Sequence, residues 1–338
     1  MIDGHGDDSF RYGTRIRHNF STNIYSDVDH SALIDFLADK AAGIKSYPEP
    51  RPESIERLIA MKLGIGKGNV MVTNGATEAI YLTAHLFHGG KSAIVSPTFR
   101  EYQDACAMYG HSVTFISSLS EIPSDTTCVW LCNPNNPTGK TVDRDSILET
   151  AAKNPGAVFI IDQAYSDYTL QPLVTPAEAA GIGNLMILSS LTKRFAVPGL
   201  RIGYAVGSEK LMSEIGKMRM PWSVNQLAIE AARFLINHSD DYVIDSRGLH
   251  AEALRIGKEM AGMGITSTGT DCNFLLAKLP QGKKASQLKD FLIDRYGILI
   301  RDASNFEGLD GSYFRIAAQR HEENDLLLTA LREWMSQS

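Results

Sequence analysis

Seven short apolar runs punctuate residues 70–206, and their spacing limits the fold more than any other feature. They are Val70–Thr73, Ala93–Ser96, Ser112–Ile116, Cys128–Cys132, Val158–Ile161, Met186–Ser189 and Ile202–Val206. Most are continuous rather than alternating, as strands are when both faces of a sheet are covered. Helical patterns such as Thr77–Leu86 and Arg144–Lys153 lie between them. This βα alternation predicts an α/β fold, a three-layer αβα domain around a mostly parallel sheet.

After Ser223 the pattern changes. Long helical stretches, Val224–Asn237 and Asp241–Met263, precede short strands at Asn273–Lys278, Ile298–Asp302 and Tyr313–Ala317. Helices at Ala285–Tyr296 and Glu322–Met335 complete a smaller α+β unit, against which the first 45 or so residues are expected to pack. The predicted organisation is a large domain over residues 46–223 and a small domain from residues 1–45 and 224–338. A length of 338 residues suits one large and one small core.

A net charge of -6 argues against nucleic acid as the main partner, which would favour a basic face. No segment approaches the roughly 20 apolar residues of a membrane span. The start, MIDGHGDDSF, lacks the basic and apolar parts of a secretory leader, so a cytoplasmic protein is expected. Cys128 and Cys132 share one predicted strand, roughly 13 Å apart at about 3.3 Å per residue. That separation suits neither a disulfide nor one shared metal ion, so these two, with Cys106 and Cys272, are expected to be reduced thiols. A dinucleotide fingerprint is missing, and the stretch around Gly66–Lys67 fails as a phosphate loop at Met61 and at Gly68.

Ligands of such sheets bind beyond the carboxyl ends of the strands, and four of those ends carry polar clusters. In TNGATEA, Gly75 permits a tight turn into a helix whose free N–H groups suit an anion. In NPNNPTG, prolines and glycine make a rigid turn that carries Asn135 and Asn136. In FIIDQAYSDY, Asp162 ends a buried strand, a costly place for a carboxylate unless a cation meets it. Tyr165 follows three residues later. In SLTKRFAVPGLRIGY, Lys193 directly follows a core strand, and Arg201 comes eight residues on. A desolvated lysine near positive charge loses its proton readily and becomes a nucleophile. Ser190 and Thr192 add hydroxyls. Together these residues supply an amine nucleophile, an anion cradle, a carboxylate for a heteroaromatic nitrogen and donors for a phenolic oxygen. Those are the needs of pyridoxal 5'-phosphate.

The same motifs, in the same order, resemble the fold-type I pyridoxal-phosphate enzymes of the class I/II aminotransferase family over nearly the whole chain. The resemblance implies that Lys193 forms a Schiff base and shuttles protons. Asp162 would pair with the pyridinium nitrogen, and Asn136 and Tyr165 would bond the ring hydroxyl. Phe99, in SPTFREY, would stack on the ring. Gly75, Ala76, Thr77, Ser190, Thr192 and Arg201 would surround the phosphate. Tyr47, in SYPEPRP, would reach the phosphate of a neighbouring subunit, which implies a homodimer with shared active sites.

Two branches of the family fit. SYPEPRP resembles the histidinol-phosphate aminotransferases, which pass an amino group to 2-oxoglutarate. NFSTN, GHGDD and ILIRDASNFEGLDGSYFRIA look closer to the L-threonine-O-3-phosphate decarboxylases of cobalamin biosynthesis, the branch expected here. Their pattern usually has H-G-G near the N-terminus, where this chain has His5-Gly6-Asp7. Both branches take a small phosphorylated amine or amino acid. Arg301 and Arg315 each interrupt an apolar strand and match its anion contacts, with a fork suited to phosphate or carboxylate. Asn23 and His5 are further substrate candidates. No metal is expected.

Overall fold

The computed structural model describes residues 7–337. Its strands, in chain order, are β1 (His18–Asn19), β2 (Val70–Thr73), β3 (Lys91–Val95), β4 (Ser112–Ile116), β5 (Cys128–Cys132), β6 (Val158–Asp162), β7 (Leu185–Ser190), β8 (Gly203–Gly207), β9 (Thr266–Ser267), β10 (Phe274–Lys278), β11 (Ile298–Leu299), β12 (Arg301–Asp302) and β13 (Tyr313–Ala317). β2 to β8 form one seven-stranded sheet in the order β2-β8-β7-β6-β5-β3-β4. Its pairs are parallel except where β8 runs antiparallel to both β2 and β7.

The continuous apolar runs are explained by two cores, one on each face of this sheet. Val129, Leu131, Phe159, Ile161, Leu185 and Ile187 point into one. Trp130, Ile160, Met186 and Leu188, the alternate residues of the same strands, point into the other. Helices cover both, which makes three layers. β4 departs from the pattern: as the edge strand it leaves Ser112, Thr114 and Phe115 exposed.

A four-stranded antiparallel sheet, β12-β13-β10-β9, carries a separate core with the helices Ser246–Ala261, Ala285–Tyr296 and His321–Ser336. The single strand expected over Ile298–Asp302 is broken at Ile300. Its first half pairs with β1 and its second half with β13. The helix expected from Asp241 begins at Ser246, because the Asp245 carboxylate accepts from the Gly248 N–H at 2.8 Å and caps it there. The helix Gln226–Asn237 and Leu33 both pack into a core of the large sheet. We therefore propose a division of the chain nearer 238 than 223, with the helix Ser31–Lys40 on the large side. No helix among the described residues is long and apolar enough to cross a membrane.

Candidate active site

The carboxyl ends of β5, β6 and β7 open onto a cavity of about 310 Å³. Cys132, Asp162 and Leu188 lie side by side across these strands. Twelve of the residues expected at the site line the cavity: Ala76, Thr77, Phe99, Asn136, Asp162, Tyr165, Ser190, Thr192, Lys193, Arg201, Arg301 and Arg315.

One end of the cavity is built for an anion. The helix Gly75–Leu86 starts there with no side-chain cap on its first N–H groups, so they remain available as donors. Gly75 has φ +75°, and a Cβ on it would lie 2.8 Å from Nη2 of Arg201. Only glycine lets the guanidinium come this close. Arg201 itself holds the left-handed conformation at φ 52°. That strained geometry, of order 1–3 kcal/mol, turns the chain back after Pro198. Ser190 Oγ and Thr192 Oγ1 are 2.7 Å apart at the same end.

Lys193 stands on the short helix Leu191–Arg194 directly after β7. Its carbonyl accepts from the Tyr168 hydroxyl at 3.0 Å, which fixes the backbone. Its Nζ donates to the Thr22 carbonyl at 3.3 Å and lies 5.7 Å from the centre of the Tyr165 ring. Burial, helped by the charges of Arg315 and Arg201, lowers its pKa from 10.5 to about 8. The amine therefore holds a neutral fraction near physiological pH. Asp162 is buried at the end of β6. Oδ2 accepts from the Tyr102 hydroxyl at 2.7 Å and Oδ1 from the Ala164 N–H at 2.9 Å. Burial raises its pKa, opposed by those two donors and by Lys193. Burial also raises that of Tyr165, so the phenol is a proton donor at neutral pH.

Phe99 is placed by two tied loops. Thr98 Oγ1 donates to Asn135 Oδ1 at 2.8 Å, and Asn135 Nδ2 donates to the Pro97 carbonyl at 2.8 Å. Asn135 thus holds the wall together while Asn136 faces the cavity. Arg301 and Arg315 are direct neighbours across β12 and β13. Nη1 of Arg315 donates to Asn136 Oδ1 and Nη2 to the Ser21 carbonyl, while its buried Nε has no partner among the described residues. Asn136 therefore offers its amide nitrogen to the cavity. Burial and the adjacent Arg301 pull the Arg315 pKa down from 12.5 to about 10. Arg301 Nη2 donates to Asn305 Oδ1 at 2.8 Å.

Two more of the expected residues, Tyr47 and Asn23, do not line the cavity. Tyr47 is 86% exposed and packs on Trp222, with ring centres 5.4 Å apart, away from the cavity of its own chain. Asn23 is fully buried beside Tyr165. His5 lies outside the described residues. Sequence reasoning missed Asp7, Ser21, Thr22, Arg100 and Cys132, which line the cavity, and Tyr102 beneath Asp162. Cys132 and Arg100 carried a usable signal, since one ends a strand and the other follows Phe99. The N-terminal residues carried none.

The sequence profile of the family "Aminotransferase class I and II" matches residues 16–331. The chain belongs to this family. A Thermoanaerobacter histidinol-phosphate aminotransferase is 30% identical over 87% of this chain and 86% of its own. The crystal structure of L-threonine-O-3-phosphate decarboxylase from Porphyromonas gingivalis is 36% identical and superposes with TM-score 0.91 over 94% of this chain and 99% of that one. Histidinol-phosphate aminotransferase from Sinorhizobium meliloti, solved with pyridoxal-5'-phosphate, shares the fold at TM-score 0.87 and 19% identity, covering 99% of this chain and 96% of its own. Class I and II aminotransferases use pyridoxal phosphate, and the cavity fits it. The glycine-walled cradle at Arg201 suits the phosphate, and the buried Asp162, to which no described cation bonds, suits a charged ring nitrogen.

Proposed function

We propose that this chain decarboxylates L-threonine O-3-phosphate to an aminopropanol phosphate. The single observation that carries this reading is the likeness to the Porphyromonas decarboxylase, 36% identical with TM-score 0.91. The pair Arg301 and Arg315, adjacent on one ladder and facing the cavity that holds Lys193, supplies the phosphate site that the substrate of either branch needs.

Lys193 would carry the cofactor, Asp162 would face its ring nitrogen, and Asn136 and Tyr165 its ring oxygen. Phe99 would cover the ring, with Ala76, Thr77, Ser190, Thr192 and Arg201 around the phosphate. Bound there, pyridoxal phosphate supplies an aldehyde for the substrate amine and a ring that accepts the electron pair of the Cα bond standing perpendicular to it. Arg301 and Arg315 hold the substrate phosphate. They thereby leave the carboxylate free of an ion pair that would oppose CO₂ loss. With a pKa near 8, Nζ of Lys193 can give a proton to Cα in place of the departing CO₂.

The second reading moves an amino group from histidinol phosphate to 2-oxoglutarate, and the Thermoanaerobacter relative supports it. The enzyme is offered threonine phosphate alone, and histidinol phosphate with 2-oxoglutarate. CO₂ from the first mixture is expected; glutamate from the second without CO₂ from the first would refute the decarboxylase. We further propose a cytoplasmic homodimer in which Tyr47 reaches the partner's cavity. Exposed Ile44, Tyr47, Met220 and Trp222 are the apolar groups that such contact would cover.

A further inference from the structure

Tyr102 is 1% exposed and does not line the cavity. Its ring stacks on Trp130, with centres 5.7 Å apart and planes at 19°, and meets Phe99 edge-on at 5.8 Å. Packing thus fixes the ring in place, and its hydroxyl ends 2.7 Å from Asp162 Oδ2. The Ala164 N–H serves the other oxygen at 2.9 Å. Each carboxylate oxygen has two lone pairs, so each keeps one for a further donor. Two fixed donors also define the plane of the carboxylate. Burial favours the neutral acid, and a donor aimed at the charged form opposes it. The other titratable groups around Asp162 are Lys193, Cys132 and Tyr165. Of all these, only Tyr102 makes a side-chain hydrogen bond to it among the described residues.

We propose that Tyr102 is a positioning residue: its hydroxyl holds Asp162 ionised and aimed at the ring nitrogen, and so sets the charge of the cofactor ring without touching it. This rests on Asp162 being the partner of that nitrogen. Without the hydroxyl, the carboxylate is a stronger base, and the proton it shares with the ring moves toward Asp162. A less charged ring is a weaker electron acceptor.

The test uses holoenzyme loaded with pyridoxal phosphate carrying ¹⁵N in the ring. Wild type, Tyr102→Phe and Asp162→Asn are compared by the ¹⁵N shift, by the pH midpoint of the visible cofactor band, and by kinetics. Phenylalanine keeps the stacking on Trp130. In Tyr102→Phe the ¹⁵N signal is expected to move toward the unprotonated position and the band midpoint to rise. Its kcat is expected to fall about tenfold, or about 1.36 kcal/mol of barrier, with KM nearly unchanged. Asp162→Asn should move further the same way. Placing 3-fluorotyrosine at 102, a stronger donor of the same shape, should move the nitrogen signal the opposite way, and it serves if the phenylalanine variant does not fold. If both position-102 proteins match wild type while Asp162→Asn differs, the proposal is overturned and the role of Asp162 stands. If Asp162→Asn also matches wild type, the pairing of Asp162 falls and the proposal falls with it.

Discussion

Replacing Lys193 with methionine should stabilise the cofactor-free protein. The pKa of Lys193 lies at about 8 in the fold against an ordinary 10.5. A group whose folded value is depressed binds fewer protons in the native state, so its contribution to stability improves as pH rises. Below about pH 8 the full penalty applies, and by linkage it is about 3 kcal/mol at pH 7. Between pH 8 and 10.5 the penalty fades, to under about 1 kcal/mol at pH 10. Methionine removes it but loses the bond from Nζ to Thr22, worth about 1 kcal/mol. The net gain at pH 7 is therefore about 2 kcal/mol. Urea midpoints of apo wild type and Lys193→Met at pH 7 and pH 10 measure this. Other titrations are common to both proteins and cancel in the difference. A methionine variant less stable than wild type at pH 7, or a difference that does not shrink toward pH 10, would refute the claim that burial strains this lysine.

Gly75→Ala places a methyl group 2.8 Å from Arg201 Nη2 in a backbone conformation at φ +75°. Cofactor affinity, measured by absorbance titration, should fall at least about tenfold, since a bond to a charged group is worth about 1.5–3 kcal/mol. Arg315→Ala should cut kcat/KM for threonine phosphate by about 10- to 150-fold on the same scale, with a much smaller effect on unphosphorylated threonine. Equal losses on both would remove Arg315 from the phosphate.

The large sheet is legible because its central strands are buried on both faces, so sequence writes them as apolar runs. Lys193, Asp162 and Arg201 are legible because each breaks an apolar setting in which charge is costly. Tyr102 is hidden for the opposite reason. Its aromatic body is ordinary core, and its hydroxyl matters only through a carboxylate 60 residues away. Asn23 is fully buried and does not line the cavity, a depth that polarity near a terminus does not reveal. The helix Gln226–Asn237 packs into a core of the large sheet, which its amphipathic stripe does not reveal, because such a stripe records that a helix packs, not against what. Ser21 and Thr22 reach the cavity through the pairing of β1 with β11, a long-range choice that no local pattern encodes.

The antiparallel strand β8 ties three parts of the site into one rung. Gly203 pairs with Thr73 on one side and with Ser190 on the other. Its missing side chain matters, because a Cβ there would meet the Ala76 N–H nitrogen at 2.5 Å. The helix start, the hydroxyl pair and Arg201 are thus locked in a common register, and a one-residue slip would misplace all of them at once. Arg301 and Arg315 hang on a different sheet with its own core. Selection can rework those arms without disturbing the rung. An ancestor could therefore change what it consumed while inheriting its chemistry intact.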